Sequence, residues 1–266
     1  IYTNDKITDF SVLSDYTKNF FSNEEIKNLL SMANHDMMNS LSLINMANDR
    51  LLNKVDDNLL SYCSIIKENI YKIIRYHNSS KDLLTLSLNN DKENQKNTEI
   101  AYFVKSHCDE IKKILEDVDI NFESKGNCFS FINTSLFSSA LLNLLSNAVK
   151  YKTKDSQINV LVYKTYTYVK VAISNTTDHI DEKNIKKIFN LGYTTADNVK
   201  INGSGQGLYL VKKIAEYHGG KVLAKINQNL FSITISIPNS KIRTNRLSSY
   251  TNNIDLTNIK AFFNTL

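Results

Sequence analysis

The sequence predicts an α+β protein, in which a helical hairpin that forms a dimeric four-helix bundle is followed by an α/β sandwich domain. All seven glycines and the single proline lie at or beyond Gly126, so the first 125 residues lack the strongest helix breakers. Apolar residues in that half recur at three- and four-residue steps, which is the period of an amphipathic helix. In the second half, segments of alternating polar and apolar residues lie between helical patterns, as is typical of a mixed domain.

The helical hairpin is predicted at residues 23–88. Its apolar stripes consist of Ile26, Leu30, Ala33, Met37, Leu41, Ile44 and Leu51 in the first helix and Leu59, Tyr62, Ile66, Ile70, Ile73 and Leu84 in the second. Asn48 interrupts the first stripe, and the sequence VDDN at residues 55–58 allows a turn. Two stripes of this length cannot both be buried within one hairpin, so we expect a homodimer that completes a four-helix bundle.

The rest of the chain divides into a lead segment (1–22), a polar linker (89–98), an α/β domain (99–240) and a C-terminal tail (241–266). In the α/β domain we expect helices at about 101–117, 135–150 and 208–218, and strands near 120–123, 157–163, 168–174, 221–225 and 231–237. The sheet should be mainly antiparallel and carry its helices on one face. In the tail, Leu256, Ile259, Phe263 and Leu266 share one side of a helix, which either packs on its own domain or docks on a partner.

Composition limits the classes of function. No apolar run approaches the roughly 18 residues that a membrane helix needs, so we expect no membrane segment in this chain. The net charge of +5 comes from scattered lysines rather than from a continuous basic patch, which disfavours nucleic-acid binding. The three cysteines lack metal-ligand spacing and fit a reducing, cytoplasmic compartment.

The stretch ANHDMMNSLS at residues 33–42 places a histidine beside an acid on the first predicted helix. At about 100° per residue, His35, Asp36 and Asn39 share a face that points away from the apolar stripe. Solvated helix faces produce such triplets routinely, so a catalytic interpretation needs a second site that supplies a reactant. Three apolar residues on the same face form either a docking surface for a partner or a surface that the second helix covers: Met32, Leu43 and Met46.

The sequence NGSGQGLYLVKKIAEYHGG at residues 202–220 alternates three glycines directly before an amphipathic helix. Glycines let backbone N–H groups approach phosphate oxygens, and the start of a helix carries partial positive charge. The same pattern also suits a flexible turn. A second element is NLLSNAVKY at residues 143–151, where Asn143 and Asn147 lie one turn apart on an otherwise apolar helix and need hydrogen-bond partners.

Four motifs together resemble those of the bacterial sensor histidine kinases. LLSMANHDMMNSLS resembles the phosphoacceptor box of this family, NLLSNAVKY its asparagine box, IFNLGYTT its phenylalanine box and GSGQGLYLVKKIAEYHGG its second glycine box. They occur in the family's order within residues 23–240. The resemblance implies a cytoplasmic kinase, or the cytoplasmic part of a longer sensor, that transfers the γ-phosphate of ATP to a histidine and then to an aspartate of a response regulator receiver domain.

The resemblance also implies roles for the three residues on the outer face of the first helix. His35 is the phosphoacceptor. Asp36 accepts a hydrogen bond from Nδ1–H of His35, which leaves Nε2 free to attack. Asn39 matches the position that orients a water molecule when the regulator is dephosphorylated.

For the nucleotide, the resemblance implies that Asn147 binds Mg²⁺ through its amide oxygen and that Asn143 supports the site by hydrogen bonding. Lys150 neutralises phosphate charge, Tyr151 packs on adenine, the glycines close over the triphosphate, and residues 194–202 form a mobile lid. The implied ATP-binding residues are Asn143, Asn147, Lys150, Tyr151, Asn175, Thr194, Thr195, Lys200, Gly203, Gly205, Gly207 and Leu208.

Two positions depart from the family pattern. Ser40 stands where the family usually has a proline that kinks the helix. In the first glycine box, the family's Asp-x-Gly-x-Gly is replaced by NTTDHI, so Asn175 takes the place of the acid, and Thr177 and His179 take the places of the glycines. Because a neutral hydrogen bond is weaker than a charged one, we expect about tenfold weaker ATP binding. The β-branched Thr177 disfavours positive φ, so this loop should follow a different path.

These departures leave two other functions open. A histidine phosphotransferase would relay phosphate between receiver domains through His35 without using ATP. A non-enzymatic dimeric scaffold would leave His35 as a solvated side chain. Among the remaining histidines, we expect His77 to pack in the hairpin, His107 to lie on a surface helix, and His218 to be a cation at the end of a helix.

Overall fold

The computed structural model describes residues 23–52, 54, 57–88, 94–177, 184–193, 205–240 and 256–263. It divides the chain into two compact units, residues 1–70 and residues 71–266. The division falls inside the predicted hairpin, so the second half of the second helix belongs to the same unit as the α/β domain. The predicted lead segment lies outside the described residues, and none of the described helices is long and apolar enough to span a membrane.

The first unit is built from α1 (Asn23–Leu52) and the beginning of α2 (Asp57–Leu88), which confirms the two predicted helices. Asn48 is only 3% exposed, and its Nδ2 donates a hydrogen bond of 2.9 Å to the backbone oxygen of Cys63. An ion pair of 2.8 Å joins Lys67 to Asp49. The residue that interrupts the apolar stripe therefore links the two helices.

Much of the apolar stripe of the hairpin is exposed in the single chain. Leu41 and Cys63 are buried. Seven large apolar side chains of the predicted stripes are at least 39% exposed: Met37, Ile44, Leu51, Leu59, Tyr62, Ile66 and Ile73. An exposed apolar surface of this extent favours burial against another protein surface, as the expected homodimer would provide.

The second unit contains two sheets. Their strands are β1 (Lys96–Glu99), β2 (Ile120–Lys125), β3 (Phe129–Ile132), β4 (Ile158–Lys164), β5 (Tyr168–Thr176), β6 (Lys221–Asn227) and β7 (Leu230–Pro238). The larger sheet has the order β2-β4-β5-β7-β6, and β1 pairs with β3 in a separate ribbon. Only β2 and β4 are parallel within the larger sheet, which confirms the mainly antiparallel pairing that the sequence predicts.

Three helices pack against this sheet: α3 (Ile100–Ile114), α4 (Thr134–Tyr151) and α5 (Gly207–Tyr217). Inward-facing residues of the central strands, such as Val160 and Val171, are at most 1% exposed. They share one core with Leu141 and Leu145 of α4. Alternate residues of β4 and β5 are less buried, so the helices cover one face, and the predicted α/β sandwich is confirmed.

The ribbon of β1 and β3 corrects the predicted linker of residues 89–98, because residues 96–98 are part of β1. The sequence KNTE has no apolar alternation, and the strand forms through antiparallel pairing with β3, which buries Thr98. Glu99 then caps α3 by accepting a hydrogen bond from the backbone N–H of Tyr102, and it also accepts one from that of Cys128. Residues 96–99 therefore form a strand because they pair with β3, and their own sequence does not predict it.

The C-terminal helix α6 (Leu256–Phe263) packs on the second unit. Ile259, Phe262 and Phe263 are at most 2% exposed and belong to the same core as α4. The guanidinium of Arg75 on α2 lies 5.9 Å from the centre of the Phe262 ring. Of the two expectations for the tail, packing on its own domain is therefore confirmed; Leu266 lies outside the described residues.

A buried carboxyl also joins α2 to α4. Asp82 is 8% exposed and hydrogen bonds with the Ser139 side chain. Burial raises the pKa of Asp82 from 3.8 to about 6, although the Ser139 hydrogen bond and the nearby Lys81 act in the opposite direction. At neutral pH the folded chain therefore holds a carboxylate in a site that disfavours its charge.

We predict that Asp82 makes the second unit less stable as pH rises. The unfolded chain releases this proton near pH 3.8 and the folded chain only near pH 6, so the folded state binds more protons between these values and stability falls across the window. Asp82→Asn removes this effect. It should raise the free energy of unfolding at pH 7.5 by about 2–3 kcal/mol more than at pH 4.

Urea unfolding of wild type and Asp82→Asn at several pH values measures this difference. Asp109→Asn is the control, because Asp109 is partly exposed and forms an ion pair with Lys105. Its effect should stay below about 1 kcal/mol. If wild type and Asp82→Asn lose stability in parallel between pH 4 and pH 7.5, the buried carboxyl does not have this effect.

Candidate functional site

A cleft lined by α4, α5 and the sheet is the candidate functional site. Its empty space, open mouth included, is about 440 Å³. The lining is mainly apolar, and its three polar side chains are Asn147, Tyr151 and Asn175. The other lining residues are Leu144, Ala148, Ile173, Ile188, Leu208, Phe231 and Ile233. The structure thus brings together four residues of the predicted ATP site, namely Asn147, Tyr151, Asn175 and Leu208.

The amide of Asn143 sets how closely α4 and α5 approach. This side chain is 6% exposed, and its Nδ2 donates a hydrogen bond of 2.9 Å to the backbone oxygen of Ser139. Its Oδ1 lies against the start of α5, where a Cβ added to Gly207 would be 2.6 Å away. Glycine at position 207 therefore lets the two helices pack with the amide between them.

Gly205 is a second glycine that is needed for packing. Its φ is +65°, and its backbone oxygen accepts a hydrogen bond of 3.1 Å from the N–H of Gly192. An added Cβ would lie within 2.7 Å of the backbone of Gly192 and Tyr193, at the end of the phenylalanine-box motif. Two glycines of the motif are thus required by packing, which a purely phosphate-binding interpretation does not predict.

The start of α5 offers backbone donors. Its N-cap residue, Gln206, makes no capping hydrogen bond through its side chain. The first N–H groups of a helix lack partners within the helix and carry its partial positive charge. Since Leu208 lines the cleft, this helix start is placed to receive an anionic group of a bound ligand.

Asn175 is the last buried residue of β5 and is 3% exposed. Its Nδ2 donates a hydrogen bond of 3.2 Å to the backbone oxygen of Thr176, and its amide oxygen has no hydrogen-bond partner among the described residues. Thr177 has no positive φ, and its N–H donates to the backbone oxygen of Asn229 at 2.8 Å. Thr177 thus avoids the positive φ that its branched side chain disfavours; the different path of the loop stays a prediction, and His179 lies outside the described residues.

Lys150 is a partly buried cation beside the cleft. Its Nζ lies 5.4 Å from the centre of the Tyr151 ring. Burial, and then the positive charges of Arg75 and Lys72, lower the pKa of Lys150 to about 8. Burial raises the pKa of Tyr151, while Arg75 opposes this shift. Lys150 is thus mostly charged at neutral pH, in surroundings that favour the approach of an anion.

The remaining predicted ATP-binding residues lie outside the described residues: Thr194, Thr195, Lys200 and Gly203. Within the described part of the chain, no group of three or more His, Cys, Asp or Glu side chains could hold a metal ion. Asn147, the predicted metal ligand, lines the cleft. An amide oxygen together with phosphate oxygens and water is a ligand set that Mg²⁺ accepts, so the residues present fit this ion.

The histidine and its neighbours in the first unit lie on one exposed face, as the sequence predicts. The side chains of His35 and Asp36 are 74% and 82% exposed. Nδ1 of His35 lies 3.4 Å from Oδ1 of Asp36 and 3.2 Å from Nδ2 of Asn39. With its proton, Nδ1 donates to Asp36, and without it, Nδ1 accepts from Asn39. The two neighbours therefore favour opposite tautomers of His35.

Ser40 leaves α1 uninterrupted from Asn23 to Leu52. Its Oγ donates a hydrogen bond of 2.9 Å to the backbone oxygen of Asp36. A proline here would remove the backbone N–H that bonds this same oxygen in a helix. Serine keeps that donor and adds another, so the kink that a proline would impose is absent.

Three apolar residues around His35 are exposed. Met32 and Leu43 are each 66% exposed, and Met46 is 50% exposed. The alternative in which the second helix of the same chain covers them is therefore wrong.

Two histidine predictions also need correction. His107 is 2% exposed rather than superficial, and its Nε2 lies 2.7 Å from Oγ of Ser138. His218 accepts a hydrogen bond from the backbone N–H of Asn133 at Nε2 and donates from Nδ1 to Ile214. Burial lowers the pKa of His218, so it is neutral rather than a cation. The predicted packing of His77 is confirmed by its 7% exposure.

We predict that Gly207→Ala destabilises the second unit by about 1–3 kcal/mol, because the new Cβ displaces the Asn143 amide. Without this contact, alanine would be favoured over glycine in a helix by about 1 kcal/mol. Destabilisation by Gly207→Ala would therefore show that the new Cβ meets the Asn143 amide. In an Asn143→Ala background, the same substitution should be neutral or stabilising. Chemical unfolding of the four proteins gives the coupling energy, and equal effects in both backgrounds would contradict this packing role.

Known proteins of similar sequence include ATPases and sensor kinases. Residues 133–242 match the family of histidine kinase-, DNA gyrase B-, and HSP90-like ATPases. The sensor histidine kinase YvrG of Bacillus subtilis is 30% identical over 158 residues, which cover 56% of this chain and 27% of the relative. The sensor protein kinase WalK of Staphylococcus haemolyticus is 26% identical over 240 residues, which cover 86% of this chain and 39% of the relative. The chain thus spans well under half the length of these relatives.

Solved structures show the same fold. Full-length ShkA in complex with AMPPNP superposes with a TM-score of 0.62 at 15% identity, covering 80% of this chain and 46% of that one. A mycobacterial sensor histidine kinase, MprB, has a TM-score of 0.50 at 18% identity, covering 55% of this chain and 100% of that one. Residues 133–242 therefore match a histidine kinase-, DNA gyrase B-, and HSP90-like ATPase domain, and the chain is similar in sequence to bacterial sensor histidine kinases.

Proposed function

We propose that this chain phosphorylates His35 with the γ-phosphate of ATP and passes the phosphate to an aspartate of a response regulator receiver domain. The observation that carries the proposal is the cleft, in which Asn147, Tyr151 and Asn175 are the polar members of a mainly apolar lining. An apolar lining can hold a planar base, and a few placed polar groups fix its orientation.

Adenine is proposed to enter between α4 and the sheet. The amide oxygen of Asn175, which lacks a partner among the described residues, would accept a hydrogen bond from the adenine amino group. Tyr151 would pack on the base, and Leu208 would close the slot from the start of α5. An uncharged acceptor holds the base less tightly than the family's carboxylate would.

The phosphates are proposed to lie at the start of α5 and beside Lys150. The backbone donors of α5 and the cation of Lys150 would offset the phosphate charge. Asn147 would hold Mg²⁺ through its amide oxygen, and the ion would neutralise phosphate charge when bound. Thr194, Thr195, Lys200 and Gly203 would complete the enclosure, as the sequence motifs imply.

The transfer step is proposed to occur at Nε2 of His35. Asp36 would accept from Nδ1–H and so hold the tautomer in which Nε2 carries a lone pair. A bond forms between Nε2 and the γ-phosphorus, the bond from this phosphorus to the β,γ-bridging oxygen breaks, and ADP leaves. Asn39, which contacts the same ring, would orient water in a phosphatase reaction of the regulator.

Two partners are proposed. A second copy of the chain would cover the exposed apolar stripes of α1 and α2 and complete a four-helix bundle. The receiver domain of the regulator would dock on Met32, Leu43 and Met46, which surround the phosphoacceptor. The need for ATP and a regulator favours a cytoplasmic location.

One observation favours a second candidate, a histidine phosphotransferase that does not use ATP. Asn175 stands where the family has an acid, and the first glycine box is lost. Against this candidate, the cleft keeps Asn147 and the packing of Asn143 on Gly207. A chain that has lost nucleotide binding would not require the amide of Asn147 in the cleft, whereas the packing of Asn143 on Gly207 also serves the fold.

We predict that the purified chain takes up label from γ-labelled ATP and Mg²⁺ and that His35→Gln takes up none. The label should be labile in acid and stable in alkali, as a phosphohistidine is, and it should pass to a purified receiver domain. Light scattering should give the mass of a dimer for both proteins, since residue 35 is exposed and lies outside the apolar stripe.

Each alternative outcome has a distinct meaning. Equal labelling of wild type and His35→Gln would exclude His35 as the acceptor. A folded wild type that takes no label from ATP, but accepts phosphate from a phosphorylated receiver domain, would be a phosphotransferase. A monomeric wild type would contradict the proposed bundle.

We predict that Asn175→Asp strengthens binding of ATP by up to about tenfold, because a charged acceptor makes a stronger hydrogen bond to the adenine amino group. Binding of inosine triphosphate, which has a carbonyl in place of that amino group, should not improve. Calorimetric titration of both nucleotides measures the difference, and Asn190→Asp on the exposed surface is the matched control. An equal gain for both nucleotides would show that residue 175 does not contact the amino group.

A further inference from the structure

A row of mainly basic side chains crosses the larger sheet on the face opposite the helices. One residue from each strand stands side by side in this row, in the order Lys125, Tyr163, Lys170, Ser236 and Lys221. We call these residues the basic row. Neighbouring strands are about 4.8 Å apart, so its lysines recur at about 10 Å across the sheet. They are scattered along the sequence, and only strand pairing brings them together.

The lysines of the basic row have no acidic partner within the described ranges of the chain. On the outer face of the five strands the one acid is Glu123, which stands in the next row beside Leu161. Lys164, the last residue of β4, is another exposed cation at the same end of the sheet. A flat group of cations without neutralising acids attracts a surface of negative charge.

Two tyrosine rings support lysines of the basic row. Nζ of Lys170 lies 5.8 Å from the centre of the Tyr163 ring, and Nζ of Lys221 lies 5.7 Å from the centre of the Tyr168 ring. A ring beside an ammonium group attracts it without neutralising its charge. Because lysines lie over these rings, the rings are poor platforms for stacked bases, which binding of single-stranded nucleic acid uses. The row therefore suits a partner that is recognised by its negative charge.

The turn between β4 and β5 carries an exposed aromatic ring beside the basic row. Tyr166 is 92% exposed. It lies in the turn after Lys164, just beyond the paired Tyr163 and Lys170. Tyrosine is enriched where membrane meets water, because its ring favours the apolar side and its hydroxyl the polar side. An exposed tyrosine next to several lysines is therefore a combination that suits an anionic lipid surface.

The basic row and the cleft lie on opposite faces of the sheet. Ile173 and Asn175 line the cleft, whereas Lys170 belongs to the alternate, less buried residues of the same strand. A strand rises about 3.3 Å per residue, so Lys170 and Asn175 are about 17 Å apart along β5. A surface bound to the basic row would therefore leave the cleft open to its own ligand.

We propose that the basic row and Tyr166 form a docking surface for an anionic lipid bilayer. The lysines lie against the phosphates of the lipid headgroups, and the tyrosine ring enters the headgroup layer. The second unit then binds the bilayer through its sheet, with its helices directed away from the membrane. This contact goes beyond the proposed phosphotransfer and involves none of the four sequence motifs.

Sedimentation of the purified chain with vesicles tests this surface. Wild type should bind vesicles of equal parts phosphatidylglycerol and phosphatidylcholine, and binding should weaken as salt rises. One lysine near an anionic membrane contributes about fivefold to affinity, so replacing Lys125, Lys170 and Lys221 together by glutamine should weaken binding roughly a hundredfold. Tyr166→Ser should weaken binding by a smaller factor at all salt concentrations, because it removes the uncharged part of the contact.

The matched control replaces Lys105, Lys113 and Lys213 together by glutamine. It lowers the net charge by the same amount, but these lysines lie on α3 and α5, where each forms an ion pair. The control should bind the anionic vesicles like wild type. Urea unfolding of all four proteins should give the same midpoint, because the substituted side chains are outside the core.

Several outcomes would overturn this inference, and none of them affects the proposed function. Wild type that does not bind the anionic vesicles, or binds vesicles of phosphatidylcholine alone equally well, has no such surface. Equal loss of binding in the basic-row variant and in the control would mean that only net charge matters. Binding of single-stranded oligouridine that depends on the basic row, without binding to vesicles, would assign the row to a nucleic acid instead.

Discussion

Helix α4 buries the amide of Asn143 against the first residue of α5, and the shape of the cleft depends on this contact. An amide within an apolar helix is unfavourable unless both of its ends have suitable neighbours. Here Nδ2 donates to the helix's own backbone, and Oδ1 fits where Gly207 has no Cβ. The start of α5 is thereby fixed next to Asn147, one turn further along α4. The position of this helix start, which is the proposed phosphate site, is set by side-chain packing.

The same contact belongs to a longer line of polar groups across the second unit. Ser139 accepts from Asn143 through its backbone oxygen and hydrogen bonds with Asp82 through its side chain. Asp82 is on α2, so the line runs from α2 through α4 to the start of α5. Hydrogen bonds of this kind are worth only about 1 kcal/mol each, but leaving any member unpaired costs more. A change in the packing of α2 would therefore alter the hydrogen bonds of α4, the helix that carries Asn143 and Asn147.

Sequence patterns predicted the features that depend on local order. The apolar steps of the first 88 residues gave the two helices, and the alternation in β4 and β5 gave the central strands. Features that depend on distant partners were missed. β1 has a polar sequence and forms only because β3 pairs with it, and His218 is neutral because the backbone of Asn133 donates to it. No glycine or proline interrupts α2, so the helix breakers give no sign that residues 71–88 belong to the α/β unit.

In the candidate site, too, the sequence predicted some residues and missed others. Its motif residues were found because amides and glycines are unusual in amphipathic helices, whereas lining residues such as Ile173 lie in an ordinary strand pattern and give no such signal. The contrast bears on how this cleft could hold ATP with an altered base contact. Asn175 makes the proposed adenine end of the cleft neutral, while the cation of Lys150 lies over the ring of Tyr151, which lines the same cleft. If phosphate binding supplies more of the affinity and base recognition supplies less, loss of the acid at position 175 reduces selectivity for adenine before it abolishes binding of nucleotides.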